Sequence, residues 1–218
     1  IRLLREHTSE GSKSVVLTVE AGRLTVERQS SDAIIGAAMV GLRQSPHIRL
    51  RARTTATSGD ASTQHAGQFV PSVDSARFAG PRLIVDVGRS GTFYAVTVRV
   101  VAPDSTLLAT ERAVGSEQDI VDKLDTLLRR VRSRLGESPA SLQASARPLR
   151  LVASASLRAL AAYVSGMRAY QQGDRAAAQR AWVAALSSDS TFALAALELA
   201  TNALDQGDKA AADRKSVV

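Results

Sequence analysis

The chain reads as α+β: a small mixed α/β sheet domain (strand–helix–strand, three-strand meander, helix) followed by an all-α array of helical hairpins. Three observations lead to that class. Apolar residues alternating at period two crowd into residues 83–112, broken by short turn-forming stretches. A single apolar stripe at the 3.6-residue period follows over 120–135. Beyond residue 154 the chain is Ala-rich, and a shift of thirty-four residues superposes it on itself.

Taken in order, residues 1–13 are polar, interrupted by Gly11 and Ser12, and are expected to be a linker. The sheet domain is expected over 14–136. Val15, Leu17 and Val19 alternate with Val16 and Thr18, which predicts a strand. Ser31-Asp32 is expected to cap a helix whose apolar positions are Ile34, Ile35, Ala38, Met39 and Leu42, stopped by Ser45-Pro46. Ile48, Leu50 and Ala52 alternate with Arg49, Arg51 and Arg53, a second strand with one basic face. Residues 54–80, rich in Thr, Ser, Gly and Ala, predict a long loop with one poor helix near Ser72–Phe78. Leu83–Val87, a hairpin turn at Gly88-Arg-Ser-Gly91, Phe93–Val101, a turn at Pro103-Asp104 and Leu107–Arg112 predict three antiparallel strands. Ser116 and Asp119 have the spacing of a capping box, Gly136 of a stop, and Ile120, Leu124, Leu127, Leu128, Val131 and Leu135 form the stripe between them. Acids in the first half of that helix and Arg129, Arg130, Arg132 and Arg134 in its second half complement the helix dipole, so the arginines are expected to form a solvated face. Residues 137–153, with Pro139 and Pro148 among Ser and Ala, are expected to be a second linker.

Composition narrows the function classes. The chain has 218 residues, 44% hydrophobic and 22% charged, enough apolar content for a folded core. No cysteine is present, which excludes disulfides, thiolate metal sites and cysteine nucleophiles. His7, His47 and His65 lie too far apart for a helical metal pair, so no metal is expected. No stretch of about 18 apolar residues predicts a membrane span. The net charge is +7, but lysine occurs only at 13, 123, 209 and 215, leaving arginine for the other 24 of 28 basic residues. Such Arg bias is the ordinary result of a GC-rich genome. The basic stretches at 48–53 and 129–134 contain no aromatic residue for base stacking, so nucleic acid is not the expected partner.

The self-similarity is the strongest feature. Leu160 falls on Leu194, Ala162 on Ala196, Ala169 on Ala203, Gly173-Asp174 on Gly207-Asp208, and Ala178 on Ala212. That period, with small residues at set positions, resembles the tetratricopeptide repeat, one complete unit and the first part of a second over 154–212. The resemblance implies that Gly166 and its counterpart Ala200 are the small positions of the first helix of each unit. It implies that Ala178, Trp182 and Ala185 pack from the second helix, and that Gly173-Asp174 and Gly207 make turns. It also implies a partner groove around Ser165, Arg168 and Gln172. Ser190 departs from the family's usual proline, and Ala169 from a common tyrosine.

Upstream, Val15–Val19, the helix ending in Leu42-Arg-Gln-Ser-Pro46, Ile48–Arg51 and the Val-rich meander Leu83–Arg112 together resemble the TolB amino-terminal-like α/β domain. The pair is similar to the region after the membrane span of some bacterial receptor-type Ser/Thr kinases, which implies an extracytoplasmic position in a longer anchored protein. Ile1 in place of methionine leads to the expectation of a fragment of a longer protein, and because a single repeat cannot bury its own apolar face, the array is expected to continue past the last residue. The final six residues, Asp213-Arg-Lys-Ser-Val-Val218, resemble translated adapter sequence and are read as a non-native tail.

Chemistry is sparse. Neither phosphate-cradling glycine motif occurs, Gly88-Arg-Ser-Gly91 is too short to serve as one, and no kinase or G-x-S-x-G signature is present. Asp86 and Asp104 are the one drawable carboxylate pair. Tyr163, Tyr170, Trp182 and Phe192 are expected to pack between helices. The expected function is non-catalytic: a protein- or peptide-binding or sensor module without cofactor. The alternatives are the regulatory region of a membrane-anchored kinase whose catalytic domain lies elsewhere, and a basic nucleic-acid binder.

Overall fold

The structure is a computed structural model that describes residues 15–52 and 80–215. The expected linker 1–13, Arg53, nearly all of the loop 54–80 with its poor helix, and residues 216–218 lie outside the described residues. The elements follow in the order β1 (Val15–Thr25), α1 (Arg28–Arg43), β2 (Ile48–Ala52), β3 (Arg82–Ser90), β4 (Phe93–Val101), β5 (Leu107–Ser116), α2 (Ile120–Arg134), α3 (Pro139–Ser145), α4 (Leu149–Val152), α5 (Leu157–Gln171), α6 (Arg175–Ser188) and α7 (Ala193–Lys215).

The strands make one mixed sheet in the order β2-β1-β3-β4-β5, with β1 parallel to both β2 and β3, and β3-β4-β5 an antiparallel meander. Alternation decides its faces. Leu17, Val19, Leu83, Val85, Val87, Val96, Val98 and Val100 all point to one side and are buried there by α1 and α2. Thr18, Asp86, Thr97 and Arg112 point to the other, which no helix among the described residues covers. A register shift in β1 between Ala21 and Leu24 is a bulge.

Several local expectations change. α1 begins at Arg28, ahead of Ser31, which is buried inside it and donates its hydroxyl to the Arg28 carbonyl at 2.9 Å. The β3–β4 turn is the pair Gly91-Thr92, with Gly88 still in the strand; Gly91 has φ +59°, the sign a tight two-residue hairpin needs at its first position. Ser116 ends β5, and its hydroxyl bonds the Asp119 carboxylate at 2.9 Å instead of capping a backbone N–H. At the far end α2 closes as expected: Gly136, φ +93°, donates to Ser133 O and Glu137 to Arg132 O, a Schellman motif.

The stripe of α2 is buried throughout, but so is Arg132, 1% exposed and far from a solvated face. Its guanidinium grips Glu137 through two bonds of 2.8 and 2.7 Å, and Glu137 also accepts from Ser45 at 2.6 Å and Ser141 at 2.8 Å. Residues 137–153, expected to be a linker, fold as α3 and α4. Leu149 is fully buried, and Gln44 exchanges two hydrogen bonds with the Arg147 backbone. The segment runs across the end of α1, so one apolar core continues from the sheet to Trp182 and Phe192.

Candidate functional site

α5 and α6 form a helical hairpin. Ser156 caps α5 by accepting the Ala159 N–H at 3.2 Å, and Asp174 caps α6 by accepting that of Ala177 at 2.8 Å. Gly173 makes the turn with φ +82°. The helices approach closely at Gly166, where an added Cβ would lie 2.4 Å from Trp182 Nε1. Ala178, Trp182 and Ala185 are completely buried along that seam. The Trp182 indole N–H meets no acceptor among the described residues.

α7 lies on this hairpin. Phe192 is buried against Tyr163, rings 5.0 Å apart, and burial followed by the nearby Glu198 carboxylate pushes the Tyr163 hydroxyl up to about 12. Asp189, between α6 and α7, accepts the Ser154 hydroxyl at 2.5 Å, which holds its carboxyl below the usual range. Just over three turns along α7, Asp205 accepts from Arg175 at 2.8 Å and from the Tyr170 hydroxyl at 2.9 Å, and both lower its pKa. Arg175 in turn sits 4.0 Å over the Tyr170 ring. The seam side of α7 is therefore fixed by both apolar and charged contacts.

Among the described residues nothing covers its outer side. Leu197 is 60% and Leu204 71% exposed, two helical turns (about 10 Å) apart. Ala200 and Thr201 are exposed between them. Ala200, expected at a packed repeat position, is therefore exposed and packs against nothing large among the described residues. The expected second turn is absent as well, because α7 continues as helix through Gly207 and Asp208 to Lys215. Gly207 has a non-positive-φ, helical backbone and open space around it.

The expected groove residues separate. α1 lies against one flank of α5, where a Cβ on Gly36 would come 2.4 Å from Val164 Cγ2. Arg168 donates to Asp32 of α1 at 3.0 Å, so α1 occupies the side where a guest peptide was expected. Ser165 and Gln172 remain exposed. Sequence periodicity carried no sign of this contact, since Asp32 and Arg168 are 136 residues apart.

Other candidate chemistry is accounted for. Asp86 forms a bidentate pair with Arg99 at 3.0 and 3.2 Å, and Asp104 accepts the Thr106 N–H at 2.9 Å in the β4–β5 turn. Of the α2 arginines, Arg129 pairs with Asp125, and Arg130 and Arg134 with Glu111. Among the described residues no group of His, Asp and Glu could hold a metal ion, and no helix is long and apolar enough to cross a membrane. No family model and no curated protein matches the chain.

Proposed function

We propose that this chain is a protein-binding module whose α7 outer face receives an amphipathic helix carrying a bulky apolar side chain. The observation that carries the reading is the relation between Gly166 and Ala200. On α5 the small residue takes Trp182 from the next helix. On α7 the equivalent small residue stands between exposed Leu197 and Leu204 with no aromatic side chain upon it. The guest is thus expected to repeat what α6 does to α5. Pairing of the α2 arginines with acids on their own chain disfavours a polyanion on that helix.

The test uses a helix-stabilised peptide with the α6 sequence, residues 174–189, labelled and titrated with the whole chain. Micromolar binding is expected, weakened about ten-fold or more when the peptide's tryptophan becomes alanine. A Leu197→Asp, Leu204→Asp variant of the chain keeps its fold by circular dichroism and loses the peptide. Absence of binding, or equal binding by the variant, contradicts the reading. So does dimerisation of the chain through the same leucines, which would make the guest a second copy.

A further inference from the structure

The face of the sheet opposite α1 and α2 holds an open cleft of about 420 Å³ lined by Arg23, Thr25, Asp86, Thr97, Arg99 and Arg112. Its one acid is saturated. Asp86 Oδ1 accepts the Arg23 backbone N–H at 2.7 Å and Arg99 Nη2 at 3.2 Å, while Oδ2 accepts Arg99 Nε at 3.0 Å. Arg99 and Asp86 therefore cancel, and the guanidinium groups of Arg23 and Arg112 are left without a carboxylate within ion-pair distance among the described residues. Among the described residues the cleft carries about two uncompensated positive charges, with the Thr25 and Thr97 hydroxyls beside them.

The backbone is shaped for the same purpose. The β1 bulge turns the Arg23 N–H onto Asp86, and only a glycine fits before it, since a Cβ on Gly22 would lie 2.1 Å from Asp86 Oδ1. Gly88 and Ala95, paired across β3 and β4, give a floor without bulk. Arg23 on β1 and Arg112 on β5 begin three strand spacings apart, about 14 Å, and flank that floor from opposite sides.

We propose that this cleft binds a molecule bearing a diphosphate group. A guanidinium fork pairs two oxygens at once, and two forks with two hydroxyls offer more donors than a single phosphate can face while esterified. This proposal is independent of the helix-binding face of α7, which lies in a different part of the chain.

Calorimetric titration of the full chain with pyrophosphate and with inorganic phosphate tests it. Pyrophosphate is expected to bind at least about ten-fold more tightly than phosphate, and R23Q and R112Q each to weaken it about ten-fold. R180Q, which removes an exposed arginine of α6, is the control and leaves binding unchanged. All three variants are expected to melt at the wild-type temperature, because both cleft arginines are exposed. No binding, equal affinity for the two anions, or an equal loss in R180Q overturns the proposal, the last by showing general charge attraction.

Discussion

Replacing Arg132 with alanine lowers the unfolding free energy by about 3–5 kcal/mol, because it leaves Glu137 charged, buried and without its cation. Denaturant unfolding of wild type and variant measures the loss. Glu137→Gln costs less, since the amide keeps acceptors for some of the surrounding donors and removes the charge with its need for one. The network joins four pieces of chain: Ser45 just past α1, Arg132 near the end of α2, Glu137 in the connection, and Ser141 and Ser145 on α3. Its pH signature has a definite sign. Burial pushes the Glu137 carboxyl up, but Arg132, Ser45 and Ser141 together outweigh burial and hold it at about 2, against an ordinary 4.5. A carboxyl depressed on folding stabilises the native state above its unfolded pKa and loses that contribution as pH falls through the folded one. Stability is therefore expected to decline by about 3 kcal/mol between pH 4.5 and 2, a decline that Glu137→Gln flattens.

Trp182→Ala is expected to cost about 3–5 kcal/mol, the usual loss for a large core aromatic. The effect falls on the helical end first, because Trp182 fills the space left by Gly166 and touches Tyr170, rings 5.7 Å apart. Gly166→Ala is destabilising despite alanine's better helix propensity, since its Cβ meets the indole head-on. Trp182→Phe keeps most of the stability, because it removes an N–H that has no acceptor among the described residues, a group costly to bury. Thermal melts of the three variants should therefore rank Phe mildest and Trp182→Ala most severe. A melt of Trp182→Ala within a degree or two of wild type would mean that the hairpin contributes little to the core.

Both sites show what could be read from residue order and what could not. Periodicity was sufficient for β3, β4, β5 and the α2 stripe, because each is a local pattern that a helix or strand must bury on one side. The resemblance to a tetratricopeptide unit, and not the shift itself, implied packing roles for Gly166, Ala178, Trp182 and Ala185, and the four residues are buried, with Gly166 against Trp182. Failures occur where a polar residue has two local roles and a distant partner selects between them. Ser31 has a capping residue's chemistry but lies within α1, and Arg132 belongs to a run that looks solvated until Glu137 folds back on it. Arg168 looked free to meet a guest until α1 supplied Asp32. The Pro-containing stretch 137–153 misled for a related reason: Pro139 stands at the start of α3, where proline is tolerated, and Leu149 alone is enough to draw its segment into the core. Gly207 matched a turn by position, yet nothing in α7 interrupts the helix there.

Amide exchange of the whole chain, with and without the α6-sequence peptide, tests the central claim most directly. Protection gained on binding is expected to centre on Leu197–Leu204 of α7, with β1 to β5 and α1 unchanged. Protection gained instead on α1 and α5 around Val164 and Arg168, or none anywhere at saturating peptide, would contradict the assignment of the α7 face as the place where another helix docks.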